Sequence, residues 1–231
     1  MKNKFKVAEL ILIMAVAVLL SFSGGEIQVS APARKTVVVD AGHGLPDGGA
    51  VGRSGVLESE INLKVSKALQ KELEKNGVAV IMTRDGENGI YPEECETIKT
   101  KKIADMKKRA EIINKSGATL AVSIHMNYFG AEKYSGPQIF YPKGKESSKE
   151  AATFIKTAIK ENIGEHCSRE IKEVESGIYL FEKAEIPIVL AECGFLSNNA
   201  EEKLLKSNSY CEKMGKAIAK GIILYLSESK S

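Results

Sequence analysis

Thr36-Val37-Val38-Val39-Asp40-Ala41-Gly42-His43-Gly44 is the stretch on which the fold turns. Its β-branched opening suits a buried strand better than a helix. Small residues, glycines and a histidine then halt that run. Residues 58–76 follow with Ile61, Val65, Leu69 and Leu73 at helical spacing, so the unit reads strand, tight turn, helix. Further apolar runs at 78–83, 119–124, 137–141 and 186–191 suit central parallel strands. A shorter strand is expected around 178–181. Helical patterns at 98–115, 148–162 and 210–226 lie between them, Asn76-Gly77 reads as a helix C-cap, and the polar stretches 85–97 and 142–147 read as loops. Strands alternating with helices predict an α/β fold, a single domain whose largely parallel central sheet is sandwiched by helices.

The chain has 231 residues, 43% hydrophobic and 27% charged, enough for one domain with a sizeable core and too little for two large ones. Its net charge is +3, with lysine and glutamate interleaved along the chain. That pattern shows no basic stripe and argues against nucleic acid as a partner. Lys2, Lys4 and Lys6 precede an apolar run from Leu10 to Leu20, followed by Ser21-Phe22-Ser23-Gly24-Gly25. This is the order of a secretory signal, and the run is shorter than the ~20 residues that span a bilayer comfortably. Ala31-Pro32-Ala33 offers a cleavage site, and an uncleaved membrane anchor is the alternative. Either reading places the folded part outside the cytoplasm and in contact with a membrane only through its N-terminus. The expected division is 1–25 signal peptide or anchor, 26–35 linker, and 36–231 a single functional domain. Cys95, Cys167, Cys193 and Cys211 raise the question of disulfides in an exported chain, but their spacing fits no metal site. They read as small buried hydrophobes.

Two of the three histidines, His43 and His125, each follow a predicted core strand, at the edge where open α/β sheets bind ligands. They can converge on a metal, for which neutral imidazole is a common ligand, or serve as hydrogen-bonded loop residues. Glu58 lies in the apolar stripe of the first helix, whereas Glu60 points to the opposite, solvated side. A carboxylate on a buried face asks for a partner or a metal, although the positive end of the helix dipole also favours it there. Glu192 ends the last apolar strand at the same sheet edge. Partly desolvated, it would have a raised pKa suited to proton transfer. A fourth metal ligand and a structural acceptor are the other readings. Because two histidines and a glutamate already make a catalytic zinc set with an open water position, Glu192 is assigned to acid–base work. Gly42, Gly44, Gly48 and Gly49 predict a tight backbone path around His43, and no phosphate-loop motif accompanies them. His166 reads as an ordinary surface histidine.

Asp40-Ala41-Gly42-His43-Gly44 with Asp47-Gly48-Gly49-Ala50 resembles the opening motif of the zinc N-acetylmuramoyl-L-alanine amidases, the Amidase_3 family. Glu58-Ser59-Glu60-Ile61-Asn62-Leu63 resembles its glutamate-ligand helix, and Met82-Thr83-Arg84 its second strand end. Arg109 with Ser123-Ile124-His125-Met126-Asn127, and Ala191-Glu192-Cys193-Gly194-Phe195-Leu196-Ser197-Asn198, are similar to two further family segments in the same order. Ala41, Leu45 and Met126 depart from its usual residues. The resemblance implies one Zn2+ per chain on His43, Glu58 and His125, with Glu192 as acid–base catalyst. It implies a peptidoglycan substrate cut between the muramic acid lactoyl group and L-alanine. An export signal on one short catalytic domain resembles the germination-specific, spore-cortex type. That type implies a role leading to muramic-δ-lactam, a location in the forespore intermembrane space, and a possible activating protein partner. A zinc peptidoglycan peptidase and a non-catalytic wall-binding regulator are the alternative readings.

Overall fold

The computed structural model describes residues 35–164 and 167–228. The N-terminal segment read as signal and linker up to residue 34, and His166, lie outside the described residues. Strands β1 (Thr36–Ala41), β2 (Ala79–Met82), β3 (Leu120–Asn127), β4 (Gln138–Pro142), β5 (Lys172–Val174) and β6 (Ile188–Phe195) form one sheet in the order β2-β1-β3-β6-β4-β5. Helices α1 (Glu58–Lys75), α2 (Ile98–Lys115), α3 (Glu146–Ile163), α4 (Tyr179–Lys183), α5 (Asn199–Leu205) and α6 (Asn208–Glu228) cover it. The α/β reading with a largely parallel sheet is borne out. No helix of the described residues is long and apolar enough to cross a membrane.

Alternation along the strands sorts the core into two layers. Val37, Val39, Leu120, Val122 and Val189 pack with α1, α3 and α6, while Val38, Ala121, Ile188 and Leu190 pack with α2 and α4. On α1, Ile61, Val65, Leu69 and Leu73 are all fully buried, as their spacing predicts. Cutting one of these leucines to alanine would cost about 2–5 kcal/mol through lost transfer energy and the cavity left behind. Asn76 caps the end of α1, and Gly77 (φ +80°) takes the left-handed turn there. α2 starts on a reciprocal Thr97–Thr100 capping box.

Four expectations need correction. Residues 178–181 are not a strand: Tyr179–Lys183 forms a short helix that buries Leu180 and Phe181, and the extra strand is Lys172–Val174. Lys172-Glu173-Val174 carries little apolar signal, because it is an edge strand held by pairing with β4. β4 itself runs antiparallel to β6 rather than joining the parallel set. β3 and β6 continue through His125 and Glu192, so His125 stands inside its strand rather than past it, and Glu192 inside its strand rather than at its end. Polar side chains suggested a stop, but the two strands pair with each other across that point. Finally, lysines interleaved with glutamates in sequence gather in space: Lys64, Lys67, Lys71, Lys75 and Lys216 line a groove between α1 and α6. Cys167, Cys193 and Cys211 are buried, all four cysteines are free, and burial pushes the Cys167 and Cys211 thiols up to about 11.

Candidate metal centre and active site

His43 sits two residues beyond β1 in a left-handed conformation (φ 60°), a costly state for a side-chain-bearing residue. Two buried arginines hold that turn. Arg84 donates to the carbonyls of Ala41 (2.8 Å), Gly42 (2.9 Å) and Ser59 (2.9 Å), and Arg109 donates to those of Ala41 (2.7 Å) and His43 (2.5 Å). Arg109 is itself fixed by Asp40 and by Asp105, both at 2.6 Å. Asp40 also accepts from Thr83 (2.7 Å) and Ser123 (2.5 Å). Burial alone would raise the Asp40 pKa, but Arg109 and the two hydroxyl hydrogen bonds outweigh it and keep the carboxylate ionised.

Glu58, on the first turn of α1, is 4% exposed and faces both histidines. Its oxygens lie 3.3 Å from His43 Nε2 and 2.9 Å from His125 Nδ1, and they accept from the backbone N–H groups of Ala50 (2.9 Å) and Met126 (3.2 Å). Burial opposes its ionisation, and the hydrogen bonds to His125 and His43 reverse that and lower its pKa. For His43, burial disfavours the charged ring, yet the Asp47 and Glu58 hydrogen bonds overcome this and raise its pKa to about 9. Asp47 accepts from His43 Nδ1 at 3.0 Å, and Lys102 lies 3.1 Å from the same carboxylate. One ligand atom from each of His43, Glu58 and His125 lies within 4.8 Å of the others, and among the described residues these three form the only such group.

The backbone leaves room for this convergence. A Cβ on Gly42 would stand 2.2 Å from His125 Nε2, and one on Gly49 would stand 2.6 Å from a Glu58 oxygen and 2.8 Å from the His43 ring. The two glycines are therefore required for the approach of the three donors, which agrees with the tight path read from the sequence. Two imidazoles and one carboxylate suit zinc in number and kind.

Glu192 pairs directly with His125 across β3 and β6, and its side chain stands on the same face of the sheet as those of Asp40, Ser123 and His125. Its Oε2 is buried with no hydrogen-bond partner. Burial, with a smaller push from Glu58 and pulls back from His125 and His43, raises its pKa to about 7. The Met126 side chain is 3% exposed and packs in the core, so that residue reaches the site through its backbone N–H to Glu58. A cavity of about 320 Å³ opens beside His43 and His125 and is lined by Lys102, Met106, Ile178, Tyr179 and Phe181 among others.

The structure brings His43, Glu58 and His125 together and sets Glu192 across the sheet from His125, and it adds contacts around them that the sequence reading did not describe. The Asp47–His43 pair was signalled only by its four-residue spacing within one glycine-rich loop. The Arg84 and Arg109 contacts to the backbone of residues 41–43 join residues 42 to 68 positions apart, so the sequence marked both arginines only through the family resemblance.

A carboxylate and two histidines within reach of one another, with a half-buried glutamate beside them in an α/β sheet, are the donor set that a hydrolase-type metal site would use. Residues 37–224 match the N-acetylmuramoyl-L-alanine amidase family model, Amidase_3, and the chain belongs to that family of peptidoglycan-cleaving enzymes. It is 37% identical over 194 residues to the germination-specific N-acetylmuramoyl-L-alanine amidase of Bacillus subtilis, covering 84% of this chain and 81% of that protein. The solved CwlD amidase from Clostridioides difficile, in complex with the GerS lipoprotein, superposes with a TM-score of 0.81 at 43% identity, covering 84% of this chain and 99% of that one. N-acetylmuramoyl-L-alanine amidase AmiA of Escherichia coli is 26% identical over 234 residues, covering 83% of this chain and 76% of that protein.

Proposed function

We propose that the chain hydrolyses the amide between the muramic acid lactoyl group and L-alanine, using one zinc ion held by His43, Glu58 and His125. The observation that carries the reading is the buried, unpartnered Oε2 of Glu192 directly across the sheet from His125. Zinc bound at this triad supplies a Lewis acid that acidifies water and polarises a carbonyl. Glu192, with a pKa near 7, takes the proton of the attacking water on its carboxylate and returns it to the departing L-alanine amine. Asp47 holds the His43 ring by its Nδ1, leaving Nε2 for the metal, as carboxylates commonly do behind ligating histidines. The adjoining cavity, apolar along Met106, Ile178 and Phe181, suits a short peptide chain. The test is metal content and product analysis. Alanine at His43, Glu58 or His125 should remove zinc and amidase activity together, and alanine at Cys167 or Cys193 should leave the metal in place. A cysteine variant that emptied the site, or product lacking free lactoyl groups, would overturn the assignment.

The biological setting belongs to the same proposal. Similarity to a germination-specific amidase supports a role in spore cortex, where removing the peptide precedes muramic-δ-lactam. The catalytic domain spans 36–231, exported by the segment before it to the outer membrane face in the forespore intermembrane space. A relative solved with a lipoprotein supports an activating protein partner. Cortex from a deletion strain should lack muramic-δ-lactam. Full activity of the purified chain alone on intact cortex would count against a required partner.

A further inference from the structure

Large apolar side chains exposed on a folded surface draw attention when they cluster. Two of those in this chain are neighbours, Tyr128 and Phe129 at 51% and 56% exposed, and Val51 is 52% exposed on another loop. Tyr128 and Phe129 leave β3 three and four residues after His125, so their Cα atoms lie within roughly 11 and 14 Å of its own. Val51 belongs to the loop that leads from Gly49 into Glu58, and Arg53 of that loop bridges to Glu132 of the aromatic loop at 3.0 Å.

Phe129 is exposed but held. The Phe129 backbone N–H donates to Ser197 Oγ (3.1 Å). Its ring meets Tyr134 edge to face, with centroids 4.8 Å apart, and Tyr134 stacks on Phe195 at 6.2 Å and 25°. Phe195 is 3% exposed and carries the Arg169 guanidinium at 5.2 Å from its ring centre. Asn198 Nδ2 donates to the Glu132 carbonyl (2.8 Å), fixing the far side of the loop. Nothing in the folding of the chain requires Tyr128 or Phe129 at the surface, and a ring fixed before binding loses little freedom on contact.

We propose that Tyr128 and Phe129 form a stacking subsite for the glycan strand of peptidoglycan, gripping a pyranose next to the muramic acid under attack. The inference rests on the His43–Glu58–His125 cluster being the reacting centre. The cut amide hangs from a lactoyl group on the sugar itself, so that sugar must lie beside the cluster and its neighbours must run outward over the rim. A pyranose offers a face of weakly positive C–H groups, which matches the negative face of an aromatic ring. Val51 borders this platform from the opposite loop.

The full chain, purified with Tyr128→Ala, Phe129→Ala, the double variant and Phe129→Trp, decides the matter on two substrates. One is soluble glycan strands bearing stem peptides, and the other is N-acetylmuramoyl-L-alanyl-D-isoglutamine, which has no neighbouring sugar. On strands, the double variant should show KM raised about tenfold with kcat within about twofold, while Phe129→Trp stays near wild type. On the monomer all variants should match wild type, and peptide-free glycan strands should inhibit wild type about tenfold better than the double variant. Equal losses on both substrates, no loss on strands, or unchanged inhibition would overturn the subsite. If His125→Ala kept activity on the monomer, the reacting-centre reading would fail instead, a result separable from the ring variants. Tyr128 has no ring partner among the described residues, so its variant keeps the test open should Phe129→Ala unfold.

Discussion

Asp40 on β1 and Glu192 on β6 flank β3 on the same face of the sheet, Asp40 fully buried and Glu192 half-buried with its Oε2 enclosed. Asp40 accepts from Arg109, Thr83 and Ser123, and its charge is matched by the guanidinium 2.6 Å away. Glu192 Oε2 has no such partner, and burial lifts its pKa to about 7. The same residue chemistry in nearly the same setting thus yields a fixed charge in one place and a transferable proton in the other. What separates them is whether a counter-charge and hydrogen bonds compensate the desolvation. Asp40 serves as scaffold, through Arg109, for the turn that carries His43; Glu192 is left free for chemistry.

Three substitutions would break or sharpen this contrast. The largest effect should follow Glu192→Gln, which keeps shape but cannot carry the proton. Turnover should fall about 10²–10⁴-fold, towards the upper end because one residue serves both proton transfers, with zinc content and melting temperature near wild type. Loss of metal in step with activity would make Glu192 a fourth ligand, and retained turnover would make it structural. In the wild-type enzyme the activity should rise with pH through about 7, as the carboxyl ionises. Next, Arg109→Met leaves Asp40 and Asp105 buried without their partner and should cost about 3–5 kcal/mol in urea unfolding. A loss below ~1 kcal/mol would mean that Asp40 needs no counter-charge. Asp47→Asn should weaken zinc binding about 10–100-fold by loosening the His43 ring while leaving the fold intact, as read by competition with a chelator.

The smallest expected effect is on stability against pH. The Glu192 carboxyl titrates near 7 when folded and near 4.5 in the reference state, so the folded form binds the proton more tightly. Stability from this group is complete below pH 4.5 and is lost as pH rises to about 7. In chelator-stripped protein, Glu192→Gln should therefore melt a few degrees above wild type at pH 8, and the gap should close at pH 4. An unchanged gap across that range would show that the carboxyl is not perturbed. Asp40, with its lowered pKa, has the opposite sign: it stabilises at neutral pH and loses that only in strong acid.

The parallel half of the molecule was legible because its signals are local. β1, β2, β3 and β6 are apolar and β-branched on both faces, and α1 announces its buried side through Ile61, Val65, Leu69 and Leu73. The other end of the sheet was misread for the converse reason. Lys172-Glu173-Val174 is a strand only because β4 pairs with it, and residues 178–181 look apolar enough for a strand yet bury Leu180 and Phe181 from a single helical turn.

By itself, then, the amino-acid sequence determined the α/β alternation, the family and the candidates His43, Glu58, His125 and Glu192, since each stands at the end of an apolar pattern that can be counted along the chain. Only the tertiary structure decided how they meet. The bridge from α1 to both histidines, the arginines that hold the His43 turn, the pairing of Glu192 with His125, and the stacking of Tyr134 on Phe195 behind Phe129 all join segments far apart in sequence. Hydrogen bonds and desolvation depend on three-dimensional neighbours, so no periodicity along the chain can record them.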